Sequence, residues 1–185
     1  FYESSGGGIT LSGGEVMIQD MDFIEKLCRI LHDKGYSVNI DTCGYAPYGN
    51  FKRILPFVDT FLYDIKAMDP EIHKHFMGVD NALILENLKK LNEDGASISI
   101  RIPTIDGVNA DEAFMNQVID FLRENNIRVK QVNLLPYHNT GNHKYGKLDR
   151  ACDEENILKT PDKERMELFK NMFMQHGFNH TKIGG

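Results

Sequence analysis

From Ile9 onward the chain alternates short apolar runs, polar or glycine-rich breaks, and longer segments of helical periodicity. The runs Ile9–Leu11, Ser37–Asp41, Thr60–Lys66, Ser97–Ile102 and Gln131–Leu135 read as strands. Met21–Lys34 puts Phe23, Leu27, Ile30 and Leu31 on one stripe, and Asp111–Asn125 does the same with Phe114, Val118, Phe121 and Leu122, which predicts two amphipathic helices. Gly35 and Gly95 follow helical stripes where a left-handed cap is wanted. Asp69-Pro70 and Thr160-Pro161 each place a capping side chain before a first-turn proline, so the last helix is expected over Pro161–His176, closed by Gly177. Tyr137–Thr160 is long, polar and glycine-containing, and reads as a mostly irregular loop.

Alternating strands and helices imply an α/β fold with a parallel sheet and right-handed crossovers. Side chains alternate across a strand, and here the two faces differ in chemistry. Val38 and Ile40 oppose Asn39 and Asp41; Phe61, Tyr63 and Ile65 oppose Asp64 and Lys66; Ile98, Ile100 and Ile102 oppose Ser97, Ser99 and Arg101. A doubly wound sheet buries both faces and favours continuously apolar strands, whereas an incomplete barrel carries helices outside and keeps a polar interior for a ligand. The pattern predicts a partial barrel.

Composition narrows the class. With 185 residues and 41% hydrophobic content, a single domain over 1–185 is expected. Lys and Arg total 21 against 27 Asp and Glu, for a formal charge of -6 and no polybasic run, so nucleic acid is not an expected partner. No apolar stretch reaches bilayer-spanning length, and the first residues lack the basic and apolar regions of a signal peptide, so the expectation is a cytoplasmic protein with no membrane contact. Cys28, Cys43 and Cys152 are widely spaced and expected to stay reduced, with Cys28 a buried, inert thiol. The chain opens at Phe1 and runs straight into a glycine-rich loop, which predicts that a segment upstream has been removed.

Reactive side chains gather at the C-terminal ends of the expected strands, the edge on which α/β folds build their sites. Gly13, Gly14 and Glu15 follow the first strand, Asp41 and Thr42 end the second, Asp64 and Lys66 end the third, Arg101 nears the end of the fourth, and His138 follows the fifth. Gly6-Gly7-Gly8 and Ser12-Gly13-Gly14-Glu15 read either as flexible turns or as backbone freed to approach a ligand. Asp64 and Lys66 on one strand face form either a structural ion pair or a grip on a ligand carrying both charges. His138 caps a turn or faces the site; Arg101, directed inward from an apolar strand, needs a partner there. Ser12 lacks a nucleophile-elbow pattern and no HExxH pair occurs, so hydrolytic machinery is not indicated. His73 and His75, two apart on an expected helix, are read as surface residues.

The segments Gly6-Gly7-Gly8-Ile9-Thr10-Leu11-Ser12-Gly13-Gly14-Glu15, Asp41-Thr42-Cys43-Gly44, Tyr63-Asp64-Ile65-Lys66, Gly78-Val79, Arg101-Ile102-Pro103 and Leu134-Leu135-Pro136-Tyr137-His138 occur in a telling order. In order and spacing the chain resembles the glycyl-radical-enzyme activases of the radical S-adenosylmethionine (SAM) kind, from Ser5 to about Leu148; Gly141, Lys144, Tyr145 and Leu148 extend the likeness. The resemblance implies a partial (β/α)6 barrel with SAM lying across the strand ends and bound through its amino and carboxylate groups to a [4Fe–4S] cluster. One electron cleaves SAM, and the 5′-deoxyadenosyl radical takes hydrogen from a backbone glycine of a partner enzyme. It further implies that Gly13, Gly14 and Glu15 hold the methionine amino group, that Asp64, Ile65 and Lys66 contact SAM, and that Arg101 and His138 line the same site. Asp41, Thr42, Asp64 and the Leu62 carbonyl resemble a monovalent-cation site of this family. A flavodoxin- or ferredoxin-like electron donor is the implied second partner.

The family's CxxxCxxC cluster motif has no counterpart here, and Cys28, Cys43 and Cys152 do not replace it by spacing. The expectation is therefore a barrel missing its first β/α unit, inactive by itself as an activase, with a free sheet edge that invites self-association. Two other readings stand beside it: a non-catalytic module that binds SAM or the partner enzyme, and an α/β barrel enzyme whose glycine loops cradle a phosphate.

Overall fold

The computed structural model describes residues 8–137 and 158–184. Within them the chain runs β1 (Ile9–Leu11), α1 (Met21–Asp33), β2 (Val38–Thr42), α2 (Tyr48–Ile54), β3 (Thr60–Asp64), α3 (Pro70–Met77), α4 (Ala82–Glu93), β4 (Ile98–Thr104), α5 (Glu112–Glu124), β5 (Val129–Pro136), α6 (Lys163–Gln175) and β6 (Thr181–Ile183). Every neighbouring pair is parallel, and the spatial order is β1-β2-β3-β4-β5-β6. A doubly wound sheet reverses its strand order to cover both faces; this one never does, so right-handed crossovers stack all the helices on one face. The architecture is the expected partial TIM-like barrel.

The apolar face forms the core against those helices. Val38, Ile40, Phe61, Tyr63, Ile98, Ile100, Ile102, Val132 and Leu134 are all buried there, with Phe51, Leu88, Leu91, Val118, Leu122, Phe169 and Phe173 packed from the helices. Each such side chain contributes roughly 1.5–3 kcal/mol relative to exposure, so this face fixes the register on which the polar face depends.

Several elements depart from the expectations. β6 is a sixth strand that the pattern did not predict; it spans only Thr181–Ile183, too short for a periodic signal. β3 ends at Asp64 rather than Lys66, although the Ile65 amide still donates to the Arg101 carbonyl at 2.9 Å. In α1 the buried residues are Met21, Ile24 and Cys28; Phe23 and Ile30 are 61% and 44% exposed, so the predicted Phe23 stripe is an outer flank. Arg53 of α2 binds Asp22 and Glu25 on another flank of α1.

Helix starts are set by aspartates. Asp20, Asp69, Asp111 and Asp162 each cap a first turn through the side-chain carboxylate. The last helix therefore starts two residues later than expected, on Asp162; the Thr160 hydroxyl donates instead to the Tyr137 carbonyl at 2.5 Å. His73 also departs from its expected surface position: it is buried, with Nδ1 at 2.7 Å from the Val79 carbonyl, and it secures the turn that ends α3. Cys28 is buried as expected, and desolvation pushes its thiol up to about 11. Among the described residues no helix is long and apolar enough to cross a membrane.

Candidate functional site

The loop after β1 turns through Gly13 and Gly14 at φ +99° and +58°, backbone that side chains rarely adopt. Glu15 then fixes it. One carboxylate oxygen accepts from the Thr42 hydroxyl at 2.7 Å and the Met17 amide at 3.0 Å, and the other accepts from the Cys43 amide at 2.7 Å. Ser12 adds a hydroxyl bond to Asp41 at 2.8 Å. The glycine turn is thus tied to the end of β2, and the Glu15 side chain is engaged in that tie.

The β2 end turns at Gly44, with φ +80°, directly over Tyr63; any Cβ there would fall inside the phenol. The Tyr63 hydroxyl donates to the Ile84 carbonyl at 2.7 Å, and burial drives its ionisation well above the ordinary range. Burial first, and then the Glu15 carboxylate, push the Cys43 thiol up to about 11.

Arg101 holds the centre. Its Nε reaches Asp64 at 2.9 Å, and one terminal nitrogen bridges Asp41 at 2.5 Å and Asp64 at 2.8 Å. Lys66 Nζ lies 3.6 Å from the other Asp64 oxygen. Burial raises the Asp64 carboxyl above its usual range despite the attraction of Arg101 and Lys66, and Asp41 adds to that rise. The Arg101 guanidinium loses hydration, yet Asp64 and Asp41 more than offset the loss and hold it protonated. Two carboxylates and two cations make a locally neutral cluster whose members can be re-paired by a ligand bearing both signs.

Three buried asparagines hold these strand ends, and no periodic pattern in the sequence marks them. Asn87 donates to the Gly44 and Ala46 carbonyls, both at 2.8 Å. Asn81 donates to the Ala67 and Met68 carbonyls. Asn109 donates to the Lys66 carbonyl at 2.8 Å and the Pro103 carbonyl at 2.7 Å while accepting from the Ile105 amide. The last of these joins the loop carrying Lys66 to the strand carrying Arg101.

Together Ser12, Gly13, Gly14, Glu15, Asp41, Thr42, Cys43, Asp64, Lys66 and Arg101 line one cavity of about 390 Å³. The structure therefore brings together all the expected strand-end residues except three. Ile65 is 1% exposed and its side chain belongs to the core, leaving only its backbone near the site. Leu62, the half-buried register partner of Asp41, is not among the residues that line the cavity. His138 lies outside the described residues, as do Gly6, Gly7, Gly141, Lys144, Tyr145, Leu148 and Cys152. Among the described residues no group of three or more His, Cys, Asp or Glu side chains is placed to hold a metal ion, and neither Cys28 nor Cys43 fits a cluster. A larger hollow of about 730 Å³, lined by Asn92, Arg123 and Phe178 among others, carries none of the strand-end charges.

A parallel sheet closed on one side by helices, with a glycine turn and paired charges at its C-terminal edge, places the molecule among the partial (β/α) barrels. The Radical SAM superfamily model matches residues 2–122, and the chain belongs to that superfamily, whose members use SAM and a [4Fe–4S] cluster. Its relatives are glycyl-radical-enzyme activating enzymes. It is 51% identical over its whole length to the trans-4-hydroxy-L-proline dehydratase activating enzyme of Clostridioides difficile, of which it covers 61%. It is 32% identical, again over its whole length, to the pyruvate formate-lyase 2-activating enzyme of Escherichia coli, covering 62% of that protein. The chain thus spans about three-fifths of these relatives. A solved domain of pyruvate-formate lyase-activating enzyme from Bacteroides vulgatus superposes with a TM-score of 0.81 at 29% identity, covering 97% of this chain and 100% of that one.

Proposed function

We propose that the longer protein to which this chain corresponds cleaves SAM reductively and leaves a glycyl radical on a partner enzyme. The carrying observation is the neutral Asp41–Arg101–Asp64–Lys66 cluster beside the Gly13–Gly14 turn, which suits a zwitterion. The amino acid moiety of SAM is one. Gly13 and Gly14 offer backbone to its ammonium, held in place by Glu15; Lys66 and Arg101 offer cations to its carboxylate; Asp64 takes up whichever cation is not engaged. His138 completes the same wall in this reading. Asp41, Thr42, Asp64 and the Leu62 carbonyl form the cation site of the same reading, with Arg101 displaced from between the carboxylates.

The described residues offer no ligand set for a [4Fe–4S] cluster, and the 185-residue chain is expected to bind SAM without cleaving it. The trans-4-hydroxy-L-proline dehydratase named for the 51% identical relative is the first glycyl radical partner to test. A flavodoxin- or ferredoxin-like protein as electron donor, a cytoplasmic setting, a single domain over 1–185, and self-association through the β1 edge belong to the same reading. Calorimetry of the chain with SAM tests the site: binding is expected, and Lys66→Ala is expected to weaken it. Absence of heat with SAM, or tighter binding of a sugar phosphate, overturns the assignment.

A further inference from the structure

The hollow of about 730 Å³ opens at the opposite end of the sheet from the strand-end charges. It is lined by the ends of α4, α5 and α6 and the loops after them, which lead into the starts of β4, β5 and β6. Its floor is apolar, with Leu122 and Ile127 buried and Phe178 half-buried. Its rim carries Arg123, Arg128 and one carboxylate, Glu93.

The other described arginines are all paired with carboxylates: Arg29 with Glu25, Arg53 with Asp22, Arg101 with Asp41 and Asp64, and Arg165 with Asp106. Arg123 and Arg128 are exposed, and neither side chain has a partner among the described residues. Compensation of a helix C-terminus accounts for Arg123, in the last turn of α5. It does not account for Arg128, which lies beyond the helix, where the Leu122 and Arg123 carbonyls already accept from the Ile127 and Asn126 amides at 2.8 and 3.0 Å. The loop is held from α4, since Asn92 Oδ1 accepts from the Arg128 amide at 2.9 Å and its Nδ2 donates to the Asn126 carbonyl at 3.3 Å. The Asn126 carboxamide itself has no partner among the described residues.

A carboxylate satisfies one guanidinium fork, whereas a phosphate ester brings three free oxygens and about two negative charges, enough for both. We propose that this hollow binds an organic phosphate, with its phosphoryl group between Arg123 and Arg128, its apolar part on Leu122, Ile127 and Phe178, and its polar edge at Asn126. The volume falls in the range of small-molecule sites, about 300–1,000 Å³. This site lies beyond the SAM reading and does not depend on it.

Nuclear magnetic resonance of the ¹⁵N-labelled chain tests it with adenosine 5′-monophosphate, adenosine and inorganic phosphate as probes. The monophosphate is expected to shift the Asn126, Ile127 and Gly177 amides, with adenosine and inorganic phosphate each at least roughly tenfold weaker there, since each supplies only half of the contacts. Arg123→Gln and Arg128→Gln are each expected to weaken the monophosphate roughly tenfold, as loss of a charge-assisted contact requires, with an unchanged melting temperature because both side chains are exposed and unpartnered. Shifts confined to Gly13 and Gly14, inorganic phosphate as strong as the monophosphate, or variants that bind as the parent does overturn the proposal. SAM added separately reports at Gly13 and Gly14, so the cofactor reading and this one can fail independently.

Discussion

At the scale of single residues, the site is held by contacts whose removal has a calculable sign. Gly44→Ala combines a left-handed backbone with a clash on the buried Tyr63 phenol, so a loss of roughly 2–4 kcal/mol in urea unfolding is expected. A loss below about 0.5 kcal/mol, the level of an ordinary surface change, contradicts the close approach. Glu15→Ala strands three donors and should remove about 1.5–3 kcal/mol. The same change takes away one cause of the raised Cys43 thiol, so alkylation mapped by mass spectrometry should quicken at Cys43 and not at Cys28. Asp64 has the opposite sign. Its folded carboxyl is raised above 3.8, so the unfolded chain gives up the proton first as pH rises, and stability contributed by the protonated form is lost between 3.8 and the folded value. At neutral pH the ionised group is a net burden, and Asp64→Asn is expected to keep or raise the melting temperature there; a fall of several degrees contradicts this. The strand-end charges were legible in the sequence because alternation alone puts Asp41, Asp64 and Arg101 on one face. Asn87 and Asn109 were not, since their bonds cross 43 residues of chain and leave no local pattern.

Elements supply what those residues stand on. Four of the helices begin on an aspartate whose carboxylate takes up first-turn amides. Asp162→Ala should destabilise the chain by about 1 kcal/mol, lowering the thermal midpoint by roughly 2–4 °C. An unchanged midpoint contradicts the cap. The strand–helix alternation and the two-faced strands were visible because tertiary structure obeys the same periods as the sequence there. α2 was not predicted because the helix is only Tyr48–Ile54, two turns that show too little of a helical period. The exposure of Phe23 was missed for another reason: α1 has two apolar flanks, and periodicity alone does not say which one a neighbour covers.

For the whole molecule, β1 is the outermost strand at one side of the sheet among the described residues, and α1, which follows it, exposes Phe23 and Ile30. Sedimentation velocity is expected to show concentration-dependent self-association, reduced by Phe23→Glu; a monomer throughout the soluble range contradicts it. The strand order that matches chain order also has a consequence for synthesis. As each strand from β2 onward leaves the ribosome, its only earlier neighbour is already made, and the intervening helix is available to cover the new pair. After β1, every described strand finds one partner already made as it emerges. Loop closures stay short, and the sheet can grow from one edge like a fan being opened, so a pause in translation leaves a smaller sheet of the same pattern instead of a mispaired one.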